Sequence, residues 1–130
     1  MLFRSLRVFA IDANGATDDT MLDTDTMSAL FATVANEVTN SGYTNKSLDE
    51  TAITITLDDT NNRMDIDLTD QTWSAIGAGD AWTDLVVAYD PDGSDTDTTT
   101  IPLTLHDFSV TPDGSDITVQ WNSAGFFRAS

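Results

Sequence analysis

The densest chemistry in this chain is the run Asp90-Pro91-Asp92-Gly93-Ser94-Asp95-Thr96-Asp97, which sets four carboxylates at alternating or near-alternating positions of a turn-forming segment. Hard oxygen ligands grouped in this way suit Ca2+. An EF-hand loop, however, needs glycine sixth and a bidentate glutamate twelfth, whereas here Gly93 is fourth and the twelfth residue is Ile101. The reading is a solvated acidic loop, with a weak Ca2+ site on Asp90, Asp92, Asp95 and Asp97 as the alternative and no other cofactor expected.

The single histidine, His106, lies in Leu105-His106-Asp107-Phe108. One histidine cannot build a His-rich zinc site. Asp107 falls on the opposite face of a strand, so a catalytic dyad would need a hydroxyl or second base from elsewhere, and a structural histidine within a sheet is expected. Cysteine is absent, which removes disulfides, thiolate metal ligands and thiol nucleophiles together. No glycine-rich loop ends in Lys-Ser/Thr to cradle a phosphate. Aspartate is so abundant that no pair of carboxylates stands out as a glycosidase couple. Trp73, Trp82 and Trp121 could line a sugar-binding face, but each sits in an alternating strand pattern, where core or subunit-interface packing is the better reading. The chain is therefore read as a protein without an active site, not an enzyme.

The charge explains the surroundings. Of 22 acidic residues 20 are Asp, against five Lys and Arg, for a net charge of −17 on 130 residues. Such a surface repels itself at low ionic strength, and in molar salt, where the Debye length is about 3 Å, the repulsion largely disappears. Adaptation to a halophilic setting is the expectation, with an acidic surface from an ordinary marine or bacterial source as the alternative. The same field repels phosphate backbones, so nucleic acid is excluded as a partner. No window approaches 18 uninterrupted apolar residues, and Met1 to Asp12 is broken by Arg4 and Arg7, so neither a spanning helix nor a signal peptide is expected, and no membrane partner.

A β-rich single domain over 1–130 must carry these groups. Apolar residues make up 40% of the chain, enough for a core. Leu2 to Ile11 reads as a first strand buried on both sides, and Asp12 to Thr20 as a loop. Met27, Leu30, Phe31, Val34 and Val38 form a stripe at helical spacing, predicting one helix of about four turns over 25–40, capped by Asp25 or Thr26 and stopped by Asn40-Ser41-Gly42. Period two then takes over: Ile53, Ile55 and Leu57, and Met64, Ile66 and Leu68, predict a hairpin with one dry and one acidic face. Further strands are expected at Trp82 to Tyr89, Ile101 to Phe108, and Ile117 to Trp121 running on towards Phe127, separated by Asp-Pro-Asp-Gly and Pro-Asp-Gly-Ser turns. Pro102 marks an edge or strand start. The expected architecture is mainly β, a small antiparallel β-sandwich or barrel-like fold of six or seven strands with one helix against it.

The ordered fragments Glu37 to Thr44, Gln71 to Ala75, Ala81 to Asp90, Leu103 to Phe108 and Ile117 to Asn122 with Gly125 resemble a family of small structural proteins of tailed phages and archaeal tailed viruses, over roughly residues 37 to 128. The resemblance implies a virion structural protein, head-decoration, minor capsid or tail-associated, and carries over no catalytic residues. The expected function is a capsid decoration or minor capsid protein on the virion surface of a tailed virus of a halophile. Its expected partners are the major capsid protein and itself, as a homo-oligomer and first of all a trimer, with Trp121, Phe126 and Phe127 as interface candidates. A tail or baseplate protein, or a carbohydrate- or Ca2+-binding β-sandwich module, is the alternative.

Overall fold

The structure, a computed structural model, describes residues 5–130. In chain order its elements are β1 (Ser5–Asp12), α1 (Asp18–Leu22), α2 (Met27–Thr33), β2 (Asn36–Glu37), β3 (Lys46–Leu48), a 3-10 turn (Glu50–Ala52), β4 (Ile53–Asp58), β5 (Arg63–Leu68), β6 (Gln71–Trp73), β7 (Trp82–Asp90), β8 (Ile101–Val110), β9 (Ile117–Val119) and β10 (Phe127–Ala129). The fold is mainly β and antiparallel throughout. The expected first strand forms, and its Leu2 and Phe3 lie outside the described residues.

β1 and β7 are the centre. They pair from Ser5↔Asp90 to Ile11↔Asp84, and the five-stranded sheet runs β2-β1-β7-β8, with β3 also on β1. Beside it stand a three-stranded sheet, β10-β5-β4, and the pair β6-β9. One face of β1 and β7 (Leu6, Val8, Ala10, Leu85, Val87) packs with Trp73, Trp82, Ile76 and Val119, while the other (Phe9, Ile11, Val86, Ala88) packs under Met21, Met27 and Leu30 of the helices. The layers are thus helices, central sheet, then the two small sheets, a sandwich-like arrangement. Trp73 and Trp82 are buried in an edge-on pair with ring centroids 5.3 Å apart. Their indole N–H groups donate to Thr44 O and Asn40 Oδ1, so both serve the core and neither faces a sugar.

The helical segment departs from the four-turn expectation over 25–40. α2 starts where expected, at the Thr26 cap, whose Oγ1 accepts the Ala29 N–H at 3.1 Å, and it buries Met27 and Leu30. It then stops after seven residues, because Asn36 and Glu37 find partners on β1 at Asp12 and Ile11 and Val38 enters the core from an extended chain. Sheet pairing outcompetes continuation of a short helix whose propensity is weakened by Thr33 and Val34. The stretch expected as loop, Asp12 to Thr20, is loop only to Thr17, and its last three residues open α1. Thr17 caps it, and Asp18 and Asp19 sit in the first turn, where the helix dipole favours negative charge.

The hairpin register is the one the alternation demands: Ile53↔Leu68, Ile55↔Ile66 and Leu57↔Met64. β8 is an edge strand, as Pro102 requires, and a register shift between Val87 and Ala88 leaves Leu103 as the extra, unpaired residue. The last expected strand is divided. β9 pairs with β6, whereas β10 crosses to β5, with Phe127↔Ile66. Gly125 makes the crossing (φ +98°): a Cβ there would lie 2.8 Å from the Ile66 carbonyl oxygen, which accepts the Phe126 N–H at 2.9 Å. Among the described residues no helix is long and apolar enough to cross a membrane.

Candidate functional site

The four aspartates of the loop after β7 have separate structural positions. Asp90 is fully buried: Oδ1 accepts the N–H groups of Asp92 (3.3 Å) and Gly93 (3.0 Å), and Oδ2 accepts that of Asp95 (2.8 Å) and the Ser5 hydroxyl (3.5 Å). It folds the loop over itself. Asp92 is exposed, and bonds from the Ser94 side chain and backbone hold its carboxyl below the usual range. Asp97 accepts a bond from Arg7 Nη1 at 2.7 Å, and Asp95 Oδ1 lies 3.7 Å from Arg7 Nε. The four carboxylates do not gather into one ligand set.

Arg7 is the cation that sequence reading overlooked. It stands in the middle of buried β1, its side chain 5% exposed, with its guanidinium carbon 4.5 Å over the Phe9 ring. Beyond Asp97, it donates to Thr100 Oγ1 (3.2 Å) and Asn45 Oδ1 (3.0 Å). Asn45 and the Tyr43 hydroxyl both donate to Glu37 Oε1, and Tyr43 accepts the Ala10 N–H. Burial first, then the Glu37 charge, push the Tyr43 hydroxyl far above its ordinary value, so it stays neutral. A charged residue inside an apolar strand was the available signal, since such a group has to be paired.

A second group of carboxylates is assembled by the fold alone. Asp18 at the start of α1, Asp84 on β7 and Asp107 on β8 bring oxygens within 4.8 Å of one another. Asp84 is 6% exposed and accepts the Thr83 hydroxyl. Burial raises its carboxyl above the usual range, and the charges of Asp107 and Asp18 add to that. Chemically the trio can hold a proton, or offer hard oxygen ligands to a cation. Nothing in the sequence spacing, 18, 84 and 107, announces it.

His106 points away from Asp107. Its Nε2 is 2.8 Å from Thr104 Oγ1, its ring packs edge-on against Trp121 (5.4 Å) and Phe126 (6.2 Å), and burial pushes the imidazole below its ordinary value. His106 is thus placed against two aromatic rings and the Thr104 hydroxyl.

Of the interface candidates, Trp121 and Phe126 are half-buried and touch each other at 5.8 Å. Both pack as partly buried side chains against the main core cluster, beside His106. Phe127 is 40% exposed. Behind it opens a cavity of about 220 Å3 lined by Leu6, Ile55, Tyr89, Leu103, Phe126 and Phe127, among others. Ile55 and Leu57, which strand alternation assigned to a dry face, are exposed, as are Ile101 and Leu103, to which the sequence assigned no face. Comparison with protein-family models, with curated proteins and with solved structures finds no match.

Proposed function

We propose that the chain is a non-enzymatic virion structural protein, a capsid decoration or minor capsid protein that stabilises the major capsid lattice of a tailed virus in a high-salt environment. The observation that supports this reading best is the use made of the residues in the resembling fragments. Tyr43, Trp73, Trp82 and Phe108, scattered along the chain, meet in one aromatic cluster with ring centroids 5.3 to 6.4 Å apart. The residues that carry the resemblance therefore form a framework. That suits a protein that works by holding a shape and presenting surfaces. The −17 charge and the exposed apolar side chains beside Phe127 fit the same role, with acid facing salt water and the apolar surface left for a neighbour.

The test is made on particles. Virions purified from molar salt should contain the chain at a fixed ratio to the major capsid protein, and immunogold labelling should decorate heads. Particles produced without the chain should lose infectivity faster on heating or salt dilution and regain stability when purified chain is added. Label confined to tails would move the protein to the tail or baseplate. Its absence from particles would end the virion reading.

A further inference from the structure

We infer that the apolar face of the β4-β5 hairpin, with the cavity it covers, is a contact between two copies of this chain. The face comprises three cross-strand rows. Ile53 and Leu68 lie against the core, and Phe127, Ile66 and Ile55 cover the apolar cavity. The last row, Ala129, Met64 and Leu57, lies outside the cavity lining, beside Asp59 and Arg63, and Leu57 is 71% exposed. Opposite, Leu103 is pushed outward by the bulge in β8 and is 49% exposed, and Ile101, in register with Tyr89, is 42% exposed.

Two features identify the occupant as another copy. The first is charge. In a chain with 22 acidic residues, the cavity lining contains no Asp, Glu, Lys or Arg. A basic partner would be recognised through carboxylates, whereas two chains of −17 can approach only through a surface free of them, with the remaining repulsion screened by salt. The second is size and shape. Ile55, Leu57, Ile101, Leu103 and Phe127 leave on the order of 450 Å2 of apolar surface in water at their exposures. A stable pair of copies needs about 800 Å2 on each side, about 65% of it apolar in homodimers, or on the order of 500 Å2. The patch also holds a hole, the 220 Å3 cavity, beside a projecting Leu57. That combination lets one surface serve both partners.

This contact gives the self-association expected of a capsid decoration protein an interface and to that extent rests on the proposed function. The experiment uses the purified chain without capsids, so the two can fail separately. Sedimentation equilibrium in molar salt, from micromolar to near-millimolar protein, should show a dimer, the closed form of a contact that one surface makes with itself. Leu57→Asp and Ile55→Asp should each raise the dissociation constant about 30-fold or more. Ala32→Asp, at an exposed position of α2 on the other side of the central sheet, should leave it unchanged. Far-ultraviolet circular dichroism of each variant checks that the fold is kept. A chain monomeric throughout the range overturns the inference. So does association that survives Leu57→Asp and Ile55→Asp together, or that appears only after residues 1–4 are deleted. A monomer that binds one apolar dye per chain would assign the cavity to a small ligand and likewise overturn it.

Discussion

Replacing Arg7 by methionine removes the charge that joins β1 to the loop after β7 while keeping most of the side-chain volume. Three hydrogen bonds are lost, to Asp97 (2.7 Å), Thr100 (3.2 Å) and Asn45 (3.0 Å). Bonds from a charged donor are worth about 1.5–3 kcal/mol each, a gross loss of roughly 6 kcal/mol. Part of this is recovered. The side chains of Asp97 and Asp95 are 37% and 54% exposed and regain water, and the guanidinium no longer has to be desolvated. Buried Thr100 and half-buried Asn45 regain far less. The net expectation is a loss of about 3 kcal/mol, which for a domain of this size lowers Tm by roughly 10–15 °C. Arg7→Lys should fall between, because a point ammonium cannot reach three acceptors held in a planar fork. The assay is urea unfolding at constant molar salt, with calorimetry for Tm. In a double-mutant cycle with Asp97→Asn, a coupling of about 1–2 kcal/mol is expected. A loss below about 1 kcal/mol for Arg7→Met, or no coupling to Asp97, would refute the view that Arg7 organises this loop.

The loop aspartates should separate by role. Asp90→Ala should cost about 2–3 kcal/mol in urea unfolding because three backbone N–H groups lose their acceptor, whereas Asp92→Asn should cost about 1 kcal/mol or less, and a chelator in constant salt should leave Tm unchanged. His106 is held below its ordinary value by burial, so its neutral form is favoured by folding. The stability it contributes is complete above the unfolded value of about 6.5 and is lost as pH falls through the lower folded value. Tm should therefore drop more between about pH 7.5 and 5.5 in the native chain than in His106→Gln, and equal drops would exclude this. Gly125→Ala forces a Cβ against the Ile66 carbonyl at positive φ and should cost about 2 kcal/mol or more, with β10 the first strand to lose amide protection in hydrogen exchange. Dilution from molar salt to tens of millimolar should loosen the fold, visible by circular dichroism and sedimentation. The described cations are already engaged, Arg7 with Asp95 and Asp97, Arg63 and Arg128 with Asp58 and Asp65, and Lys46 with Thr72 O, which leaves most aspartates opposed only by solvent ions.

Features fixed by neighbours in the sequence were legible in it. Period-two alternation set the hairpin register of β4 and β5, the Asp-rich turns and Gly93 and Gly114 separated the strands, Asp25 or Thr26 marked a helix start, and Pro102 marked an edge or strand start. Each depends on the chain within a few residues, where side-chain alternation, φ preference and capping act. The mainly β class followed from these local signals together. The tertiary structure decided whatever depends on partners far away in the chain. α2 stops early because β1, some 25 residues upstream, offers edge partners to Asn36 and Glu37. The last strand divides because β10 gains pairing with β5 across Gly125. Asp90 and Asp97 look like equivalents of Asp92 in the sequence, and only the fold buries the first under its own loop and sets the second against Arg7, 90 residues away. The Asp18, Asp84 and Asp107 trio and the exposed apolar face arise in the same way, from where whole elements stop relative to one another. Alternation tells which face of a strand is apolar. Whether that face is covered depends on how far the opposite sheet extends, and no residue of the strand itself encodes that length.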